Sequence, residues 1–327
     1  MPDETTCSDT KLSDEILNLL RCPACRAELA ADDAHLNCAN PDCAARFPII
    51  EGVAVLINDR NSLFSIEDFT QQRATFFDAR PRSRVARVMD RLTPSLVLNV
   101  RGRANYDKLA RLLLEQSNAP KVLVLGGSVE GLCMAPLIER GEIELVDTDV
   151  AFGPRTKLIC DAHDIPFADA SFDGVVAQAV LEHVADPYRC VDEIHRVLKD
   201  GGLVYAETPF MQQMHGAPYD FTRFTIQGYR RLFRRFKEID CGTCTGPGMA
   251  LGWAYEYFML SFPRSRLGRK LMELFVHFTA WHLKYLDRIL VNRPFAVYGA
   301  SGYHFLGAKS NHTGTDREIA ERWRAGR

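Results

Sequence analysis

Between residues 157 and 207 short apolar runs alternate with polar breaks, and the spacing of the breaks predicts a definite order of elements. Residues 158–160 read as a short strand ending at Asp161. Residues 172–177 read as a second strand, introduced by a turn over 168–171. Over 187–199 the apolar side chains Tyr188, Val191, Ile194, Val197 and Leu198 recur at helical spacing. Asp200-Gly201-Gly202 is the expected stop, and 203–206 a third strand. Upstream, 122–125 and 143–146 are buried-strand runs, and 105–116 places Tyr106, Leu109, Ala110, Leu113 and Leu114 on one helical face. Downstream, 226–236 is expected to form a helix with Tyr229, Leu232, Phe233 and Phe236 turned inward; 237–241 and 302–307 are the last strands. Strand, helix and strand at this spacing describe a parallel α/β sheet.

Four submotifs stand in order along the central stretch. They are Asp161-Ala162-His163-Asp164-Ile165-Pro166-Phe167, Ser171-Phe172-Asp173, Leu181-Glu182-His183-Val184, and Glu193-Ile194-His195-Arg196-Val197-Leu198-Lys199-Asp200-Gly201-Gly202. In this order and spacing they resemble the small-molecule branch of the class I S-adenosylmethionine (SAM) methyltransferases. The resemblance implies a Rossmann-like seven-stranded sheet, SAM as cofactor, and methyl transfer as the activity.

The run at 122–125 is followed by Gly126-Gly127-Ser128-Val129-Glu130-Gly131, expected to open a helix. Glycines there let the backbone approach a ligand, and a helix N-terminus offers unpaired N–H groups. The turn departs from the family pattern, because Val124 stands where an acidic residue is usual. The strand at 143–146 ends in Asp147-Thr148-Asp149, and a carboxylate about 20 residues past a glycine turn can accept hydrogen bonds from ribose hydroxyls. The resemblance favours Asp147, while Asp149 is equally within reach. It also implies that Asp161 and the N–H of Ala162 meet the adenine edge and that Ile165 packs on its face. Gln178 completes the expected cofactor set.

In a doubly wound sheet the ligand crevice lies beyond the carboxyl ends of the strands, which points to 178–183 and 207–225 for the chemistry. His215 is the candidate base, since imidazole titrates near neutrality. Tyr219, Asp220 and Arg223 are placed to orient it or to bind an anionic acceptor. His183 is read as structural.

Cys22, Cys25, Cys38 and Cys43 form a C-x2-C-x12-C-x4-C array. Two tight thiolate knuckles joined by a short loop suit tetrahedral Zn²⁺, and such a module draws much of its folding free energy from the metal. With Leu20-Arg21 before it and 47–57 after it, the array resembles the small zinc-ribbon proteins that activate tRNA and protein methyltransferases. All four ligands are used, so the zinc is expected to be structural.

Composition sets the remaining bounds. The 327 residues are 46% hydrophobic and 25% charged, the profile of a globular protein with room for one large and one small domain. The expected organisation is a zinc ribbon over 1–60, a linker and helical segment over 61–104 that includes an Arg-rich helix at 80–91, and a SAM-binding core over 105–241. A helical insertion rich in aromatics follows over 242–301, then the last core strand and a polar tail over 302–327. The acidic, apolar-poor start is not a signal peptide, and the dispersed cysteines fit a reducing cytoplasm.

Residues 1–60 carry 11 acidic and 5 basic side chains, which argues against the ribbon gripping nucleic acid; residues 220–327 carry 9 and 18, which favours an anionic substrate or surface. The insertion reads either as an apolar lid over the acceptor or as an interfacial element touching membrane. The leading expectation is SAM-dependent methylation of a small-molecule, carbohydrate or lipid-linked acceptor at oxygen. The alternatives are a zinc-ribbon RNA base methyltransferase, for which no Asn/Asp-Pro-Pro-Tyr motif follows the strand at 172–177, and a non-catalytic binding scaffold.

Overall fold

The computed structural model describes residues 10–32, 34–73, 75 and 92–325; the expected helix at 80–91 lies outside them. Eleven strands form one mixed sheet: β1 (Leu29–Ala31), β2 (His35–Cys38), β3 (Arg46–Ile50), β4 (Val53–Leu56), β5 (Lys121–Leu125), β6 (Glu144–Asp149), β7 (Leu158–Cys160), β8 (Phe172–Gln178), β9 (Leu198–Pro209), β10 (Phe236–Thr245) and β11 (Gly302–Lys309). Their spatial order is β1-β2-β3-β4-β7-β6-β5-β8-β9-β11-β10. From β7 to β10 this is the expected seven-stranded sheet. Its neighbours are parallel through β9, and β11 runs antiparallel between β9 and β10.

The expectation of seven strands is therefore corrected to eleven. Short, fully buried β7 would present a row of unpaired backbone groups at the sheet edge, a costly arrangement inside a core. β4 covers that edge in parallel, with Ala54, Val55 and Leu56 opposite Leu158, Ile159 and Cys160. All four β4 side chains are buried, as a strand enclosed on both faces requires. The cysteine-bearing segment is thus continuous with the main core: Leu20, Leu36 and Phe47 share one cluster with Leu158, Ile165 and Phe167. Arg26 donates to the Ile165 carbonyl at 2.9 Å and to Glu193 at 2.7 Å.

Two expected breaks also differ. Residues 126–134 do not open a helix; only Ala135–Ile138 is helical. The turn's N–H groups go to the sheet instead, from Gly127 to the Thr148 carbonyl and from Ser128 to Asp149, and Cys133 is left-handed at φ +67°. The helix expected over 187–199 ends at Val197, two residues early, and Leu198 to Gly202, the expected stop included, lie within β9. A register shift opposite β8 and Gly201 at φ +75° mark an irregularity there.

The helix Gly102–Gln116 buries Tyr106, Leu109, Ala110 and Leu113 against the sheet. Between β10 and β11 stand the helices Pro247–Leu260 and Arg266–Ala280 with shorter turns after them. Buried Asp287 accepts from the N–H groups of Gly248 and Met249 at 2.7 and 2.8 Å, which fixes the start of the first cap helix. Among the described residues no helix is long and apolar enough to cross a membrane.

Candidate functional site

A cavity of about 410 Å³ opens at the carboxyl ends of the central strands, where the fold places its loops. One end is lined by Gly126, Gly131, Asp149, Asp161, Ala162 and Gln178. The other is lined by Glu182, His183, Thr208, His215 and Tyr219. Leu63 and Phe64, from the segment after β4, and Met249 of the cap close the walls.

At the first end the two candidate carboxylates separate. Asp147 is bound through both oxygens by Arg155 at 3.0 and 3.1 Å and does not line the cavity. Asp149, the last residue of β6, does. It accepts from Ser128 N–H at 3.0 Å and Ala151 N–H at 3.1 Å, and burial pushes its carboxyl above the usual range. Gly153 makes this possible: a Cβ there would stand 2.3 Å from the Ser128 carbonyl. Gly126, at φ +71°, sits against Val180 where no side chain fits.

Gln178 donates to the Leu132 carbonyl at 2.9 Å and to Glu207 at 2.7 Å; Glu207 also accepts from Asn99 at 2.9 and 3.0 Å and from the Tyr205 hydroxyl. Ala179, between Gln178 and the reaction end, holds φ +55°, a strained conformation for a residue with a Cβ.

Asp161 is spent on its neighbours. His163 Nδ1 lies 2.6 Å from one oxygen, and Ser62 Oγ donates to the other at 2.5 Å. Burial raises its carboxyl, but the contacts from His163 and Ser62 outweigh that and hold it below the ordinary range. The junction of the expected ribbon and linker thus braces the wall from behind: Ser62 holds Asp161, and buried Asn58 donates to Asp164 at 3.0 Å. Ile165, expected against the adenine, is fully buried in the core and absent from the lining.

At the other end His215 and Tyr219 reach the cavity; Asp220 and Arg223 do not. Those two are paired behind His215, with Asp220 accepting the His215 backbone N–H at 2.7 Å and Arg223 Nη2 at 2.8 Å. Desolvation of Asp220 is outweighed by these contacts, so its carboxyl lies below the usual range. The loop is tied to the one after β8, since Phe221 N–H donates to the Glu182 carbonyl at 2.8 Å.

The structure adds a residue that the sequence did not single out. Glu182 is fully buried, and its Oε1 has no hydrogen-bond partner among the described residues. That oxygen lies 3.7 Å from His183 Nε2 and 3.9 Å from His215 Nε2. Burial drives the Glu182 carboxyl up to about 8 and the His183 imidazole down. His183 lines the cavity as well as bracing the loop through the Tyr219 carbonyl. Depth was the missing information for Glu182, as it was for Asn99, Gly153 and Glu207.

The four early cysteines converge. Cys22 Sγ is 3.8 Å from Cys43 Sγ, Cys25 Sγ is 3.4 Å from Cys38 Sγ, and all four lie within 4.8 Å of one another. Zn–S bonds of about 2.3 Å in a tetrahedron place sulfurs about 3.8 Å apart, so the donor set fits that ion.

Residues 134–206, the segment carrying Asp149, Asp161, Gln178, Glu182 and His183, match a family model described as a methyltransferase domain. A demethylmenaquinone methyltransferase of Symbiobacterium thermophilum is 41% identical over 145 residues, covering 42% of this chain and 54% of that protein. A ubiquinone/menaquinone biosynthesis C-methyltransferase of a Geobacter species is 33% identical over 78 residues, 24% of this chain and 33% of that protein. The chain thus spans about half of the first relative and a third of the second. Among solved structures, phosphoethanolamine N-methyltransferase 2 of Haemonchus contortus aligns at TM-score 0.39 and 14% identity, covering 63% of this chain and 53% of that one.

Proposed function

We propose that this chain is a SAM-dependent methyltransferase acting on a small-molecule acceptor. The observation that carries the reading is the single cavity joining the Asp149 end to the Glu182, His183 and His215 end. SAM would lie along the first end, with its ribose on Asp149, its adenine beside Asp161 and Ala162, and its amino acid portion over residues 126–131 and Gln178. The sulfonium methyl would then face His215.

Methyl transfer is an in-line displacement, so alignment and exclusion of water supply much of the rate. A hydroxyl acceptor also needs its proton removed, and His215 is the group in reach. On an aromatic or enolic acceptor the resulting anion is nucleophilic at oxygen and at ring carbon. Both products fit this site, and the relatives' names favour carbon. Calorimetry with SAM and with S-adenosylhomocysteine tests the reading: binding of both is expected, and absence of both sinks it. Mass and NMR analysis of a reduced quinone after turnover would then assign the methylated atom.

The cap supports an apolar, lipid-linked acceptor. Leu267, Leu271, Phe275 and Phe278 lie along one face of Arg266–Ala280 and are 50–68% exposed; Phe258 and Phe262 stand at the end of the preceding helix at 62 and 63%. Monomeric proteins rarely leave such a face open, and Arg264, Arg266, Arg269 and Lys270 stand beside it in the sequence, adding positive charge to the start of that helix. The face would rest on an anionic bilayer, and a zinc ribbon would brace the core from the opposite edge of the sheet. Flotation with vesicles containing phosphatidylglycerol should carry the protein upward, and Phe262→Ser/Phe275→Ser should leave it in the soluble fraction. Concentration-dependent dimers without flotation would replace the membrane by a second copy.

A further inference from the structure

We propose that Glu182, His183 and His215 bind a divalent transition-metal ion, in a site separate from the four cysteines. The starting point is the Glu182 carboxyl. It is completely buried, yet among the described residues Oε1 has no hydrogen-bond donor, while Oε2 has Thr208 Oγ1 at 3.5 Å. An unpaired oxygen at that depth is costly unless a cation or donor reaches it. The atoms facing it are the two imidazole nitrogens at 3.7 and 3.9 Å, and the three ligand atoms all lie within 4.8 Å of one another.

Their orientation suits coordination. His183 Nδ1 lies 2.5 Å from the Tyr219 carbonyl, and His215 Nδ1 lies 3.1 Å from the Gln213 carbonyl. An imidazole that donates from Nδ1 to a carbonyl keeps its lone pair on Nε2, the usual outer contact of a metal-binding histidine. Arg223 Nη2 also approaches His215 Nδ1 at 3.2 Å, but its two N–H bonds are directed to Asp220 at 2.8 Å and the Gln213 carbonyl at 3.2 Å. Bonds of about 2.1 Å place neighbouring ligand atoms about 3.0 to 3.4 Å apart, so the two separations from Glu182 need close by less than about 1 Å and the imidazole pair by no more than about 2 Å.

Two imidazoles and one carboxylate on one side of an ion suit Mn²⁺, Fe²⁺, Co²⁺ or Zn²⁺ and leave positions for other ligands, unlike the closed set of four thiolates. All three residues line the cavity, so those positions face the acceptor space. Resting on the methyltransferase reading for its role, the ion would hold an acceptor hydroxyl oxygen and favour loss of its proton to solvent. The S–CH₃ bond then breaks with its electron pair left on sulfur, and the acceptor anion forms the new bond to the methyl carbon. With the ion bound, His215 would be a ligand, and loss of the proton to solvent would replace the base role given to it above.

The test is uptake of Mn²⁺ by the full chain with its cysteine site zinc-loaded, followed by loss of the free-ion electron paramagnetic resonance signal, and uptake of Co²⁺ followed by its visible absorption. A single additional ion should bind. Glu182→Gln, which preserves the shape of the buried carboxyl, and His215→Ala should each weaken it about tenfold or more, at least the effect of losing an outer-shell partner. Zinc content and SAM calorimetry report whether each variant is folded. No uptake of either ion, or equal affinity in wild type and both variants, would overturn the proposal. Ion uptake without SAM binding would retain the ion site and reject the methyltransferase reading; SAM binding without uptake would do the reverse.

Discussion

Removing zinc from the four-cysteine site, by a strong chelator or by Cys38→Ala, is expected to abolish SAM binding as well as to melt the cysteine-bearing segment. A structural zinc site contributes about 10–16 kcal/mol of apparent binding free energy, comparable to the whole stability of a typical domain at about 5–15 kcal/mol. Here the loss propagates because the segment is part of the sheet. β4 supplies the pairing for β7, Ser62 holds one oxygen of Asp161, and Leu63 and Phe64 line the cavity. Metal content, hydrogen exchange at 158–160 and SAM calorimetry should change together. A chain that contained no zinc when isolated in its presence would refute the metal assignment. Retained SAM affinity after zinc loss would show that the ribbon and the cavity are energetically independent.

The second large effect is expected at Asp149. If its carboxylate holds the ribose, Asp149→Ala removes charge-assisted hydrogen bonds each worth about 1.5–3 kcal/mol, so SAM affinity should fall by roughly 10- to 100-fold. Asp149→Asn keeps one of the two acceptors that hold the Ser128 and Ala151 N–H groups and turns the other into a donor. It should bind SAM more weakly than wild type and lose part of the loop support, a smaller loss of thermal stability than Asp149→Ala, which removes both acceptors. Asp147→Ala is the contrast: it releases Arg155 beneath the loop and should lower stability more than intrinsic affinity. Equal losses of affinity in the Asp147 and Asp149 variants would refute the assignment. Calorimetry and thermal melts on the three proteins decide it.

Much of the fold was legible because local patterns and packing agree. The strand at 158–160 has the expected bounds, and β5, β6, β8 and β11 extend their predicted runs by a few residues at one or both ends. Buried parallel strands have to be continuous apolar runs, and such runs are visible in a linear sequence. The convergence of Cys22, Cys25, Cys38 and Cys43 was legible for a related reason, since two short knuckles constrain their own geometry. The glycine turn was misread as a helix start because its N–H groups find partners on β6, a contact that no local pattern records.

The sequence alone determined the order of the elements, the methyltransferase motifs at 161–202 and the cysteine array. It pointed to the loops after the fourth and fifth core strands, where the cavity opens. Only the tertiary structure separated Asp149 from Asp147, moved Ile165 into the core, and joined the cysteine-bearing segment to the sheet through β4 and β7. It alone also exposed the unpaired oxygen of Glu182 between His183 and His215. The reason is physical: element identity follows from periodicity within a few neighbouring residues. Burial and the partner of a charged group are set by segments distant in sequence, as Ser62 is from Asp161 and His215 is from Glu182.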